Sequence, residues 1–109
     1  MKWRHEFKVK VGEANDRAVV KVPQNARWAR VQLANLDGNT TWSTATATVK
    51  WSNMGEGDAQ AFATAVTLTQ AAPGSDRIPV SAVEMMVVGT GTSEAGIVLD
   101  GVAVFDDQE

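Results

Sequence analysis

Few residues in this chain could do covalent chemistry. The single histidine, His5, stands between Trp3-Arg4 and Glu6, and a Ser-His-Asp site would need it to meet a serine and a carboxylate in space. No G-x-S-x-G elbow presents a nucleophile. The run GTGTSEAG, Gly89 to Gly96, has the glycines of a phosphate cradle, but a strand pattern follows it where a helix N-terminus is required, and it has no lysine. It reads as a loop between strands. The acidic residues Asp37, Glu56, Asp58, Asp100, Asp106 and Asp107 supply oxygens that suit Ca²⁺, yet their spacing is not that of an EF-hand loop. The reading is of no catalytic residue, no cofactor and no metal, hence of a protein that is not an enzyme.

Tryptophan is the other chemically versatile residue. There are four, Trp3, Trp28, Trp42 and Trp51, and no tyrosine. An exposed indole stacks on sugar rings, whereas a buried one fills a core or a subunit contact. Trp42, beside the turn residues Asp37-Gly38, is expected to be the exposed one.

The elements that must carry these residues show period-2 alternation. Phe7, Val9 and Val11 alternate with Lys8 and Lys10, and Ala18, Val20 and Val22 continue the pattern up to Pro23, which cannot donate to a ladder. In WARVQLANL, Trp28 to Leu36, the residues Ala29, Val31 and Leu33 share one face and Arg30 and Gln32 the other. Asp37-Gly38 is a strong hairpin signal, so a strand from about Trp42 to Trp51 is expected to return antiparallel against it. Ala59 to Thr69 could be helical from its alanines, with Asp58 as cap, but Phe62, Val66 and Leu68 share parity and it is read as a strand. Pro79 restricts Arg77-Ile78 to an extended or edge position. Ser81 to Thr90 is apolar on nearly both faces, which predicts cover on both sides. The chain then turns through GTGTSEAG as a hairpin into a last strand, Ile97 to Phe105, and ends on DDQE.

Seven or eight strands without a long helix predict a single all-β domain over 1–109, an antiparallel β-sandwich or jelly roll. The length of 109 residues and the balance of 44% hydrophobic with 21% charged residues suit one folded core. A net charge of −3 offers no footprint for nucleic acid, no polybasic patch marks a membrane surface, and no run approaches the about 20 apolar residues of a membrane helix. MKWRHEFKVKV lacks the apolar core of a signal peptide, so synthesis in the cytosol is expected.

Within STATATVKW, Ser43 to Trp51, the residues Ala45, Ala47, Val49 and Trp51 are expected on a core face so shallow that large side chains opposite must fill it, with Trp28, Phe62 and Met85 as candidates. Thr44, Thr46 and Thr48 then form a flat, uncharged, β-favouring face that tolerates a neighbouring protein surface.

The runs TATATVKWSN, AFATAVTLT and RIPVSAVEMMVVGTGTSEAGIVLDGVAVFD together resemble small β-sandwich virion proteins of tailed bacteriophages, the class that includes capsid decoration or cement proteins and related head and tail accessory proteins. That resemblance implies a structural protein of the capsid surface, made in the host cytoplasm, with the major capsid protein and copies of itself as partners. The contact residues expected are Trp3, Phe7, Trp42, Thr44, Thr46 and Thr48, and Lys2, Arg4, Lys8 and Lys10 would face an acidic subunit. IVLDGVAVFD, Ile97 to Asp106, looks like the closing strand of jelly-roll carbohydrate-binding modules, which implies a glycan partner stacked on Trp42 or Trp28 as the alternative.

Overall fold

The alternating segments form eight strands: β1 (Lys2–Val11), β2 (Arg17–Lys21), β3 (Trp28–Ala34), β4 (Thr46–Ser52), β5 (Ala63–Leu68), β6 (Ile78–Pro79), β7 (Glu84–Thr90) and β8 (Ile97–Asp106). The computed structural model describes residues 1–13, 16–35, 42, 44–53, 63–91 and 96–108. Strand partners follow one rule. β1 pairs with β8, β2 with β7, β3 with β6 and β4 with β5, all antiparallel, as in one long hairpin whose tip is the β4–β5 connection. Rolling that hairpin up puts alternate pairs in opposite sheets, giving the orders β1-β8-β3-β6 and β2-β7-β4-β5. This is a jelly roll, an eight-stranded β-sandwich.

That winding corrects two expectations. β3 and β4 do not pair across Asp37-Gly38, because β3 lies beside β8 and β6 while β4 lies between β7 and β5. Nor does Gly89 to Gly96 close a hairpin, since β7 and β8 belong to different sheets. Every connection except β4–β5 crosses between sheets. Turn chemistry bends the chain locally, but the choice of partner is made by burial of two complete faces against each other. Asp37-Gly38 itself lies outside the described residues, as do Phe62 and residues 92–95 of the glycine-rich run.

Other expectations stand. β5 is a strand over Ala63–Leu68, and Pro79 is in the edge strand β6. Inward residues of both sheets make one core that includes Val9, Val31, Leu33, Val49, Leu68, Met85, Val87, Leu99 and Phe105. Each such side chain, fully buried, contributes about 1.5–3 kcal/mol against leaving it in water. β7 is covered on both sides over its first half: Met85 and Val87 belong to the core, while Met86, only 2% exposed, sits on the other side between Val19 and Lys50 of the neighbouring strands, and farther along that side Val88 is half-buried and Thr90 exposed.

The two sheets are tied together where β1 leads into β2. Gly12 turns with φ 98°, a value only glycine adopts cheaply, and its N–H donates to the Thr90 carbonyl at 3.1 Å. The Asp16 N–H donates to the Lys10 carbonyl at 3.0 Å, and the Gly89 N–H donates to the Asp16 carbonyl at 2.8 Å. The end of β1 is thereby laid directly over Gly89 of β7, where a side chain would meet the Lys10 backbone.

Candidate functional site

The threonine strand resolves as its alternation requires. Ala45, Ala47, Val49 and Trp51 are buried, and Thr46, Thr48 and Lys50 are half-buried on the outer side. Cross-strand register extends this outer surface: Thr46 lies beside Thr90, Thr48 between Val88 and Thr67, and Lys50 between Met86 and Thr64. The Thr90 hydroxyl donates to the Thr46 carbonyl at 3.1 Å, which leaves the Thr46 hydroxyl to donate to Thr90 Oγ1 at 2.5 Å. Thr46, Thr48, Thr67, Thr90 and Val88 therefore make a contiguous uncharged surface on β7, β4 and β5, bounded by Lys50 and by Arg17 of β2 beside Val88. Thr44 is exposed in the turn before β4, closed by the Ala45 N–H donating to the Trp42 carbonyl at 2.8 Å.

The aromatic contact residues are placed differently. Trp42 is only 4% exposed and belongs to the core, a correction to its expected exposure. Removing a ring of that size from water outweighs leaving it beside a turn. Trp3 and Phe7 have the parity of Val9 and Val11, so both are half-buried against the margin of the core. The Phe7 ring covers Gly101, its partner across the β1–β8 pair, where a Cβ would collide with it. His5, of the same parity, is exposed.

Met85 fills the core as expected, but Trp28 does not. Ala29, Val31 and Leu33 take the inner side of β3, so Trp28 is left outside, with the Arg77 guanidinium stacked 4.2 Å from its ring centroid. Its Nε1 is buried with no acceptor among the described residues. A glycan platform on these two tryptophans is not supported by their placement, since one is core and the other already carries a cation on one ring face.

Of the acidic residues weighed for a metal, Asp37, Glu56 and Asp58 lie outside the described residues. Asp107 accepts from the Met1 ammonium at 2.7 Å, and this hydrogen bond, opposed by desolvation and helped by that charge, its own backbone N–H and Arg27, holds its carboxyl below the usual range. Among the described residues no group of acidic or histidine side chains is arranged to hold a metal.

Sequence reasoning set Lys2, Arg4, Lys8 and Lys10 toward an acidic subunit but missed the apolar part of the outer face to which they belong. β8 lies between β1 and β3, and its outward residues are Val98, Asp100, Val102, Val104 and Asp106. Register puts Val104 between Arg4 and Arg30, Val102 between Glu6 and Gln32, Asp100 between Lys8 and Ala34, and Asp106 between Lys2 and Trp28. Ion pairs join Arg4 to Glu6 at 2.6 Å, Lys8 to Asp100 at 3.7 Å and Arg30 to Asp76 at 3.9 Å. Three adjoining furrows of 570, 220 and 330 Å³ run along this face, the largest between the β3–β8 surface and Ser75. The available signal was that Ile97 to Phe105 is apolar on both parities, the same pattern that marked β7 as covered.

The chain matches no family model, and neither a curated protein nor a solved structure shows significant similarity to it.

Proposed function

We propose that this chain is a structural virion protein of a tailed phage, a capsid decoration or cement protein that binds the outer surface of the head. The observation that carries this reading is the uncharged threonine surface of β4, β5 and β7, which turns away from the core and has the β-favouring composition of a surface that meets another protein. The jelly roll supports it at the level of architecture, being a fold used repeatedly in viral shells. Fold alone does not assign function.

The mechanism is geometric. A jelly roll seated across boundaries between capsid subunits adds contacts that must break before the shell opens, and a few kcal/mol per copy suffices when many copies act together on a closed shell. The partners are the major capsid protein and further copies of this chain.

Light scattering with and without expanded capsids of the encoding phage, followed by co-sedimentation, tests the reading. Saturable binding at a fixed ratio to the capsid protein is the expected result, and a folded monomer that ignores capsids overturns it. Thr46→Lys is expected to lose incorporation by about tenfold or more while its circular dichroism and unfolding midpoint stay unchanged, because it places a charge on the neutral surface beside Thr90. Normal incorporation of that variant removes this surface from the proposal.

A further inference from the structure

We infer that the outer face of β1, β8 and β3 is a second docking surface, and that it takes an acidic, extended segment of a partner protein. The inference stands on the geometry of this face and does not depend on the virion reading.

Its layout is that of a protein contact. Val102 and Val104, both half-buried, form an apolar ridge on β8, and Val98, 48% exposed, lies beyond Asp100 on the same side. Arg4 and Arg30 flank Val104 on either side, each side chain 61% exposed, and Lys8, Lys2 and Arg77 extend the cationic rim. An apolar centre with a polar rim rich in arginine is the anatomy of an interface core and its border. The largest furrow shares Arg30 and Val104 with one of the others and Asp100 and Val102 with the third, so they adjoin as one branched surface along the strands.

Charge decides the class of occupant. Cations outnumber acidic groups on this face although the whole chain has a net charge of −3; the pairs Lys8–Asp100 and Arg30–Asp76 are long, and the shorter Arg4–Glu6 pair at 2.6 Å is as exposed as they are, so these cations can exchange partners at little cost. A segment that alternates carboxylates with aliphatic side chains can set the aliphatic ones on the valine ridge and the carboxylates beside Arg4 and Arg30, which bind carboxylates bidentately. A nucleic acid fits less well. Glu6, Asp100 and Asp106 stand in three of the four rows, where a phosphate backbone, charged at every unit, would meet like charge.

The test uses the full chain, isotopically labelled, and a synthetic twelve-residue peptide of alternating Glu and Val, with oligo-Glu and a twelve-nucleotide single-stranded DNA as comparison probes. The expected result is saturable shifts of the Arg4, Arg30, Val102 and Val104 amides with the Glu-Val peptide, weaker with oligo-Glu and weakened by salt. Arg4→Glu with Arg30→Glu is expected to cut the affinity about tenfold or more, and Val104→Ser severalfold, with circular dichroism unchanged. Three outcomes overturn the inference: no shift of those amides at millimolar peptide, binding unaffected by the double reversal, or tighter binding of the DNA that is indifferent to Val104→Ser. Capsid binding through the threonine surface is read by a separate assay, so either proposal can fail alone.

Discussion

Replacing Gly89 by alanine tests the point at which the two sheets are pinned together. A methyl built there comes within 2.9 Å of the Lys10 carbonyl carbon and 3.2 Å of Val11 Cα, and nearer still to the Lys10 oxygen. All three are backbone atoms, so no side chain can swing aside. Ordinary contact between such atoms needs about 3.5–4 Å, which requires the end of β1 to retreat by roughly 1 Å. That movement strains the bonds from Asp16 to Lys10, from Gly89 to Asp16 and from Gly12 to Thr90. Losing two of them costs about 2 kcal/mol. Overpacking strain adds about 1–3 kcal/mol, for a total near 3–5 kcal/mol. Typical domains have only about 5–15 kcal/mol of stability. Urea unfolding followed by the fluorescence of buried Trp42 and Trp51 should show the midpoint lowered by about 2 M, if the slope is near 2 kcal/mol per molar. A loss under about 1 kcal/mol refutes the reasoning, since it would mean that β1 can lift off β7 without breaking this set of bonds.

Gly101→Ala meets the Phe7 ring instead of backbone, with ring carbon Cε1 at 2.9 Å, so the half-buried ring can turn outward and the loss should be about 1–2 kcal/mol. Adding Phe7→Ala should then be less than additive in the same unfolding assay, and strict additivity would show that the ring does not depend on the glycine. The lowered carboxyl of Asp107 implies a contribution that is present above the ordinary aspartate range and disappears as pH falls through the lower folded value. The protection of the Lys2 and Asp107 amides, their exchange measured against the intrinsic rate at each pH, should therefore be steady from neutral pH down to about 4 and fall below it, and Asp107→Asn should remove that pH dependence.

How much of this was legible follows from which signals are local. Alternation in Ala45 to Trp51 and in Ala29 to Leu33 assigned inner and outer sides correctly, because a strand has a fixed period of two whatever it pairs with. Pro79 could be placed at an edge from its missing N–H alone. Pairing was not legible in the same way. Asp37-Gly38 and GTGTSEAG specify bends, and a bend serves equally to return a strand beside its predecessor or to carry it across a sandwich. The jelly roll takes the second use at every connection but one. The threonine surface was readable as uncharged, but its neighbours Thr67 and Thr90 come from strands distant in sequence. Trp42 was misplaced because proximity to a turn says little about a side chain large enough to reach the core.

Net charge hid the chemistry of the β1-β8-β3 face for a further reason. The eight strands hold eight of the ten Lys and Arg residues but only four of the thirteen Asp and Glu residues, so the remaining acids belong to connections and chain ends. A negative total thus coexists with outward strand faces that are basic. Beyond the Debye length of about 8 Å at physiological salt, a partner feels little of the charge on the far side of the molecule. What an approaching surface meets is the charge of one face. An excess of −3 therefore argues against wrapping by a long polyanion, which must pass both faces and the acidic connections, and leaves a short acidic segment free to settle on Val102 and Val104 between Arg4 and Arg30.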